Sequence, residues 1–65
     1  MKKKGTIIKF DNYNGIILSE DNIEYLFNKN NLLYDAKIND KVIFNSELFE
    51  TVEIKKYVAT FIEKA

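Results

Sequence analysis

Reactive side chains are scarce in this chain. His and Cys are both absent from its 65 residues, which removes the commonest general base, the thiolate nucleophile and the usual transition-metal ligands. An enzyme built from what remains would rely on carboxylates, lysines, tyrosines or the hydroxyl clusters around Ser19 and Ser46. Ser19-Glu20-Asp21 has no base at a spacing that activates a nucleophile, and the acidic residues are scattered among polar turns as solvated groups are. Asp21 and Asp35 are suitable ligands for a hard cation, but no calcium-loop spacing surrounds them. The expectation is a protein without catalytic activity, cofactor or metal.

Charge gives no broad attraction either. Lysines supply all ten positive charges and are balanced by ten acidic residues, so any electrostatic grip on a partner is local. Lys2-Lys3-Lys4 and Lys9 put four positive charges in the first ten residues, a pattern read first as a solubilising terminus. The apolar segment of a signal peptide does not follow. Apolar runs reach three residues, as in Ile16-Ile17-Leu18, against about 20 for a membrane-spanning helix. No membrane association and a cytoplasmic location are expected. With 46% apolar and 14% aromatic residues, the composition suits one folded domain over 1–65, held by packing alone.

The elements that must position any site read as strands. Bursts of β-branched and aromatic residues alternate with clusters of Asn, Asp, Gly and Ser, the pattern of short strands joined by turns. The spacing predicts strands over 5–10, 16–18, 23–27, 41–45 and 52–62. Residues 32–38 read as loop with room for a short helical turn, and 46–51, with Glu47 and Glu50, as the turn before the last strand. In 41–45, Val42 and Phe44 face one way and Lys41, Ile43 and Asn45 the other. Val52, Ile54, Val58 and Phe61 are the apolar markers of the last strand. A helix over 48–63 is the alternative, disfavoured by the density of Val, Ile, Thr, Tyr and Phe. Five short strands hide their edges most economically in a closed barrel. The fold expected is all-β, a five-stranded antiparallel OB-fold barrel, with an SH3-like small barrel as the alternative.

The order of residues resembles a known family. Gly5-Thr6-Ile7-Ile8-Lys9-Phe10 resembles the opening strand of bacterial cold-shock domains, roughly G-T-V-K-W-F. Asn12-Tyr13-Asn14-Gly15-Ile16-Ile17 falls where that family has its first ribonucleoprotein motif, K-G-F-G-F-I. Glu24-Tyr25-Leu26-Phe27-Asn28 falls at the second, approximately D-V-F-V-H. Ile38-Asn39-Asp40-Lys41-Val42-Ile43-Phe44 is similar to the segment leading into the fourth strand, and Val58-Ala59-Thr60-Phe61 to the closing A-x-N-V. The resemblance spans nearly the whole chain.

It implies a single-stranded RNA- or DNA-binding protein acting as an RNA chaperone or as a regulator of transcription or translation. In that family bases stack on an exposed aromatic platform, each for about 1 to 3 kcal/mol. Here the platform departs from the pattern. Lys9 stands in place of Trp, Asn14 and Ile16 in place of two Phe, Leu26 in place of Phe and Asn28 in place of His, while Phe10 remains. Three lost stacks weaken binding by about a hundredfold or more. Tyr13 and Tyr34 flank the face, and Lys9 and Lys29 offer phosphate contacts. The residues implied for nucleic-acid binding are Lys9, Phe10, Tyr13, Asn14, Ile16, Leu26, Asn28, Lys29 and Tyr34. The same exchange of aromatics for aliphatics leaves an apolar patch at Ile16 and Leu26. That patch supports an alternative partner, another protein or a second copy of the chain.

Overall fold

A computed structural model of the chain describes residues 2–65. The β-branched bursts become strands β1 (Lys2–Phe10), β2 (Asn14–Ser19), β3 (Glu24–Asn28), β4 (Lys41–Glu50) and β5 (Lys55–Lys64), with one 3-10 turn at Lys29–Asn31. Strands β1 to β3 form a meander and β4–β5 a hairpin. Because β4 returns to β1 and β5 to β3, the sheet closes as a barrel in the order β1-β2-β3-β5-β4, the arrangement of an OB-fold.

A ring of five strands cannot alternate direction all the way round, so one neighbouring pair must be parallel. That pair is β3–β5, matched at Leu26 and Val58. The other four pairings are antiparallel.

Alternation along the strands supplies the core. Ile7, Ile17, Tyr25, Phe27, Val42, Phe44, Ala59 and Ile62 point inward and are buried, each large apolar side chain contributing about 1.5–3 kcal/mol by leaving water. The Tyr25 ring packs on Phe44 at 5.1 Å and on Tyr57 at 5.6 Å. Val42 and Phe44 are buried while Lys41 is exposed and Ile43 and Asn45 are partly so, as the alternation predicts. The loop over 32–40 closes one end of the barrel with Ala36, which is buried, backed by Leu32 and Tyr34.

Turns are set by side chains that bond the backbone locally. Asp11 Oδ1 accepts the N–H groups of Tyr13 and Asn14 at 2.9 and 2.7 Å, and Asn12 supplies the positive φ of 78° that an asparagine tolerates. Between β4 and β5, Thr51 Oγ1 accepts from the N–H groups of Glu53 and Ile54 at 3.3 and 3.0 Å. The β4–β5 turn is therefore 51–54, not 46–51. Residues 47–50 continue β4 and pair with 55–58 of β5, so the hairpin extends as a ribbon. Glutamates at 47 and 50 suggested a turn, but each lies on a two-stranded ribbon open to water.

The last strand also buries different residues from those its apolar markers suggested. Val52, Ile54 and Phe61 are exposed and Val58 is half-buried, whereas Ala59 and Ile62 fill the core. A break in the β4–β5 register, with Phe61 and Ile62 both opposite Phe44, shifts which side chains point inward. The short helical turn lies at Lys29–Asn31, just before the 32–38 loop in which the sequence left room for it.

Candidate functional site

The face in question is built by a second irregularity. In the β1–β2 ladder Ile7 pairs with Ile17 and Lys9 with Ile16, so Ile8 is an extra residue. Such a bulge breaks the alternation and re-aims the side chains that follow. Lys9, which strict alternation from buried Ile7 would send inward, is exposed, and Ile8 beside it is 37% exposed. The loop over 32–40 anchors the same point: Ile7 N–H donates to the Asp40 carbonyl at 3.0 Å and Asn39 N–H to the Ile7 carbonyl at 2.8 Å.

From the bulge, one row of outward side chains crosses the barrel. Lys9 lies opposite Ile16, Ile16 opposite Leu26, and Leu26 opposite Val58. The neighbouring row runs Phe10, Gly15, Phe27. Phe10 is half-buried, its ring 5.6 Å from that of Phe27 at an interplanar angle of 35°. One part of the ring covers the end of the core and the rest faces outward. Gly15 makes this packing possible, because a Cβ there would meet the Phe27 ring and the Lys9 carbonyl oxygen.

An open depression of about 510 Å³ is lined by Ile8, Lys9, Phe10, Asp11, Asn14, Gly15, Ile16, Leu26 and Ile38. It brings together five of the residues singled out from the sequence: Lys9, Phe10, Asn14, Ile16 and Leu26. Phe10 is also a wall of a second depression, of about 320 Å³, that includes Lys29, Leu32 and Tyr34. Tyr13 is 73% exposed and lines neither, its carbonyl accepting the Lys29 N–H at 2.7 Å.

Two of the nine side chains already have structural partners. Asn28 caps the 3-10 turn, its side chain accepting the Asn30 N–H at 2.9 Å while its own N–H donates to Asn31 Oδ1. The Tyr34 hydroxyl donates to Asp40 Oδ2 at 2.8 Å, and burial with that carboxylate pushes its pKa up to about 12. Ile8 and Ile38 were not singled out, although they line the larger depression. The signal for Ile8 was the Ile7-Ile8 doublet, since neighbours on one strand cannot both face a core. Nothing local marks Ile38.

Charge at the face is slight. Lys9 and Asp11 are the only ionic side chains of the larger depression. The N–H groups of Asn14 and Tyr13 hold the Asp11 carboxyl below its ordinary pKa, so it stays ionised and partly satisfied. The face offers one half-buried ring, four aliphatic side chains, an amide, one lysine and one carboxylate. It suits a flat, weakly hydrated group better than an anion. Among the described residues, no group of three or more acidic side chains stands close enough to hold a metal ion. Asp21 is engaged at the opposite end of β2, accepting from Lys3 Nζ at 2.6 Å and from the buried Ser19 hydroxyl.

No family model, no curated protein and no solved structure matches the chain.

Proposed function

We propose that the chain binds single-stranded RNA or DNA weakly on the outer face of β1, β2 and β3, in the manner of a cold-shock protein. The observation that carries this reading is the single depression shared by Lys9, Phe10, Asn14, Ile16 and Leu26. A base stacks on the exposed part of Phe10 and lies over Ile16 and Leu26, Asn14 bonds a base edge, and Lys9 and Lys29 take phosphates. With one aromatic where the resembling family has several, affinity is low and sequence preference slight. Such binding keeps RNA unpaired or regulates transcription or translation from the cytoplasm, without hydrolysis of nucleotides.

A fluorescence-anisotropy titration with labelled oligo-U and oligo-dT at low salt tests it. Saturable binding that weakens with added salt supports the reading. Absence of a saturable signal at hundreds of micromolar protein rejects it.

A second reading is favoured by the aliphatic lining of Ile8, Ile16, Leu26 and Ile38. The same face then buries itself against another protein or a second copy of the chain. Sedimentation of the free protein separates the two, since a strict monomer that binds oligonucleotide leaves the second reading without support.

A further inference from the structure

Among the described residues, four non-glycine positions have positive φ: Asn12 at 78°, Asn22 at 65°, Asn39 at 77° and Phe61 at 48°. Three are asparagines in connections, the residue type that enters the left-handed region most readily after glycine. Phe61 departs from that choice. It sits within β5, where it and Ile62 together face Phe44 between the Asn45–Thr60 and Ile43–Glu63 pairs. A bulge residue in this conformation is ordinarily Gly, and a bulky side chain there is strained.

Burial does not offset the strain, because Phe61 is 63% exposed while Ile62 beside it is fully buried. The barrel needs the bulge in order to seat Ile62. Gly or Asn at 61 would provide it with less strain, so packing does not account for a phenyl ring held out in water.

Its position relates it to the candidate face. Strand β5 runs parallel to β3 from Leu26–Val58 to the Leu32–Ile62 bridge, where Leu33 N–H donates to the Ile62 carbonyl at 2.9 Å. Residue 61 therefore lies level with the end of β3, where Asn28 gives way to Lys29. This is the end of the meander at which Phe10, Asn14 and Asn28 lie. Round the closed barrel, β2 and β3 lie between β1 and β5 on one side and β4 alone on the other, and the surface path along the meander is three strand spacings, about 14 Å.

Resting on the nucleic-acid reading above, we propose that Phe61 is a second stacking residue, and that a bound single strand runs from Phe10 past Lys29 to β5. The ligand is then a strand long enough to reach both rings, with a phosphate near Lys29 between them.

The test compares Phe61→Asn, Phe61→Trp and Phe10→Leu, using melting temperature and anisotropy with a long and a very short oligo-U. The expected result for Phe61→Asn is a melting temperature that holds or rises as strain is relieved. Its affinity for the long oligonucleotide falls at least about fivefold, while the short one, which reaches only Phe10, binds as before. Phe61→Trp keeps the long-strand affinity. A Phe61→Asn protein with unchanged long-strand affinity, while Phe10→Leu weakens binding, overturns the role of Phe61 alone. A fall in melting temperature with equal losses at both lengths assigns the ring to packing and overturns it too. If the unmutated protein binds neither oligonucleotide, the reading of the whole face fails and this inference with it.

Discussion

Lys9 stands opposite Ile16 because Ile8 is passed over in the β1–β2 ladder. A single inserted residue thus places a lysine on the surface that strict alternation would bury, and it puts Ile8 at the rim of the depression. Deleting Ile8 leaves Lys9 directly after Ile7, so it keeps its outward place opposite Ile16 in a ladder that has become regular. The expected outcome is a protein that still folds, read as retained amide dispersion in a two-dimensional NMR spectrum. A deletion protein whose amide dispersion collapses contradicts the account of Ile8 as the extra residue.

Gly15 is required for contact and not for backbone freedom, since no glycine of the chain has positive φ. In Gly15→Ala the methyl group would sit 2.5 Å from the Lys9 carbonyl oxygen and inside the contact distance of the Phe27 ring. Overpacking of this kind costs about 1–3 kcal/mol, so the melting temperature should fall by at least about 4 °C. An unchanged value would show that Phe27 moves aside freely.

Much of the fold was legible, for reasons that can be traced to particular residues. Val42 and Phe44 against Lys41 and Asn45 give strict alternation, and Asn12 and Asp11 give unmistakable turn chemistry. The two bulges were hidden because alternation is the signal for a strand, and a bulge is the place where alternation stops. Residues 46–51 read as a turn in sequence because the glutamates of the 47–50 ribbon face water on both sides of a two-stranded element. At the candidate face, Lys9, Asn14, Ile16 and Leu26 could be named only through the resemblance to cold-shock domains, position by position along their motifs. Ile38 could not, since only the long loop over 32–40 brings it there.

Acid weakens the opposite end of the barrel. The hydrogen bond from Lys3, with that from Ser19, lowers the Asp21 pKa from 3.8 to about 2. A carboxylate depressed in the folded state adds stability that is complete above its unfolded value, and this is lost as pH falls through its folded value. Asp21→Asn should therefore melt below the unmutated protein at neutral pH. The difference should narrow below about 3.8 and close near 2. A gap that persists at the acid limit would assign the loss to packing around Ser19.

Placing an aromatic in the row tests the proposed binding through a gain of affinity. Leu26 is 45% exposed and paired with Ile16, so Leu26→Phe presents a new ring beside Phe10 without entering the core. Affinity for oligo-U should rise at least about fivefold. Lys9→Gln should instead lower the slope of log affinity against log salt by about 0.7, the share of one phosphate on a single strand. Failure of both changes to register would leave the face without stacking or phosphate contact.

Chemical-shift mapping during an oligonucleotide titration tests the central claim most directly, because it reports binding and its location together. The account predicts saturable shifts concentrated at Lys9, Phe10, Asn14, Ile16 and Leu26, with Lys3, Ser19 and Asp21 at the opposite end of the barrel unmoved. Shifts centred on Lys3 and Asp21, or none anywhere along the titration, would contradict it.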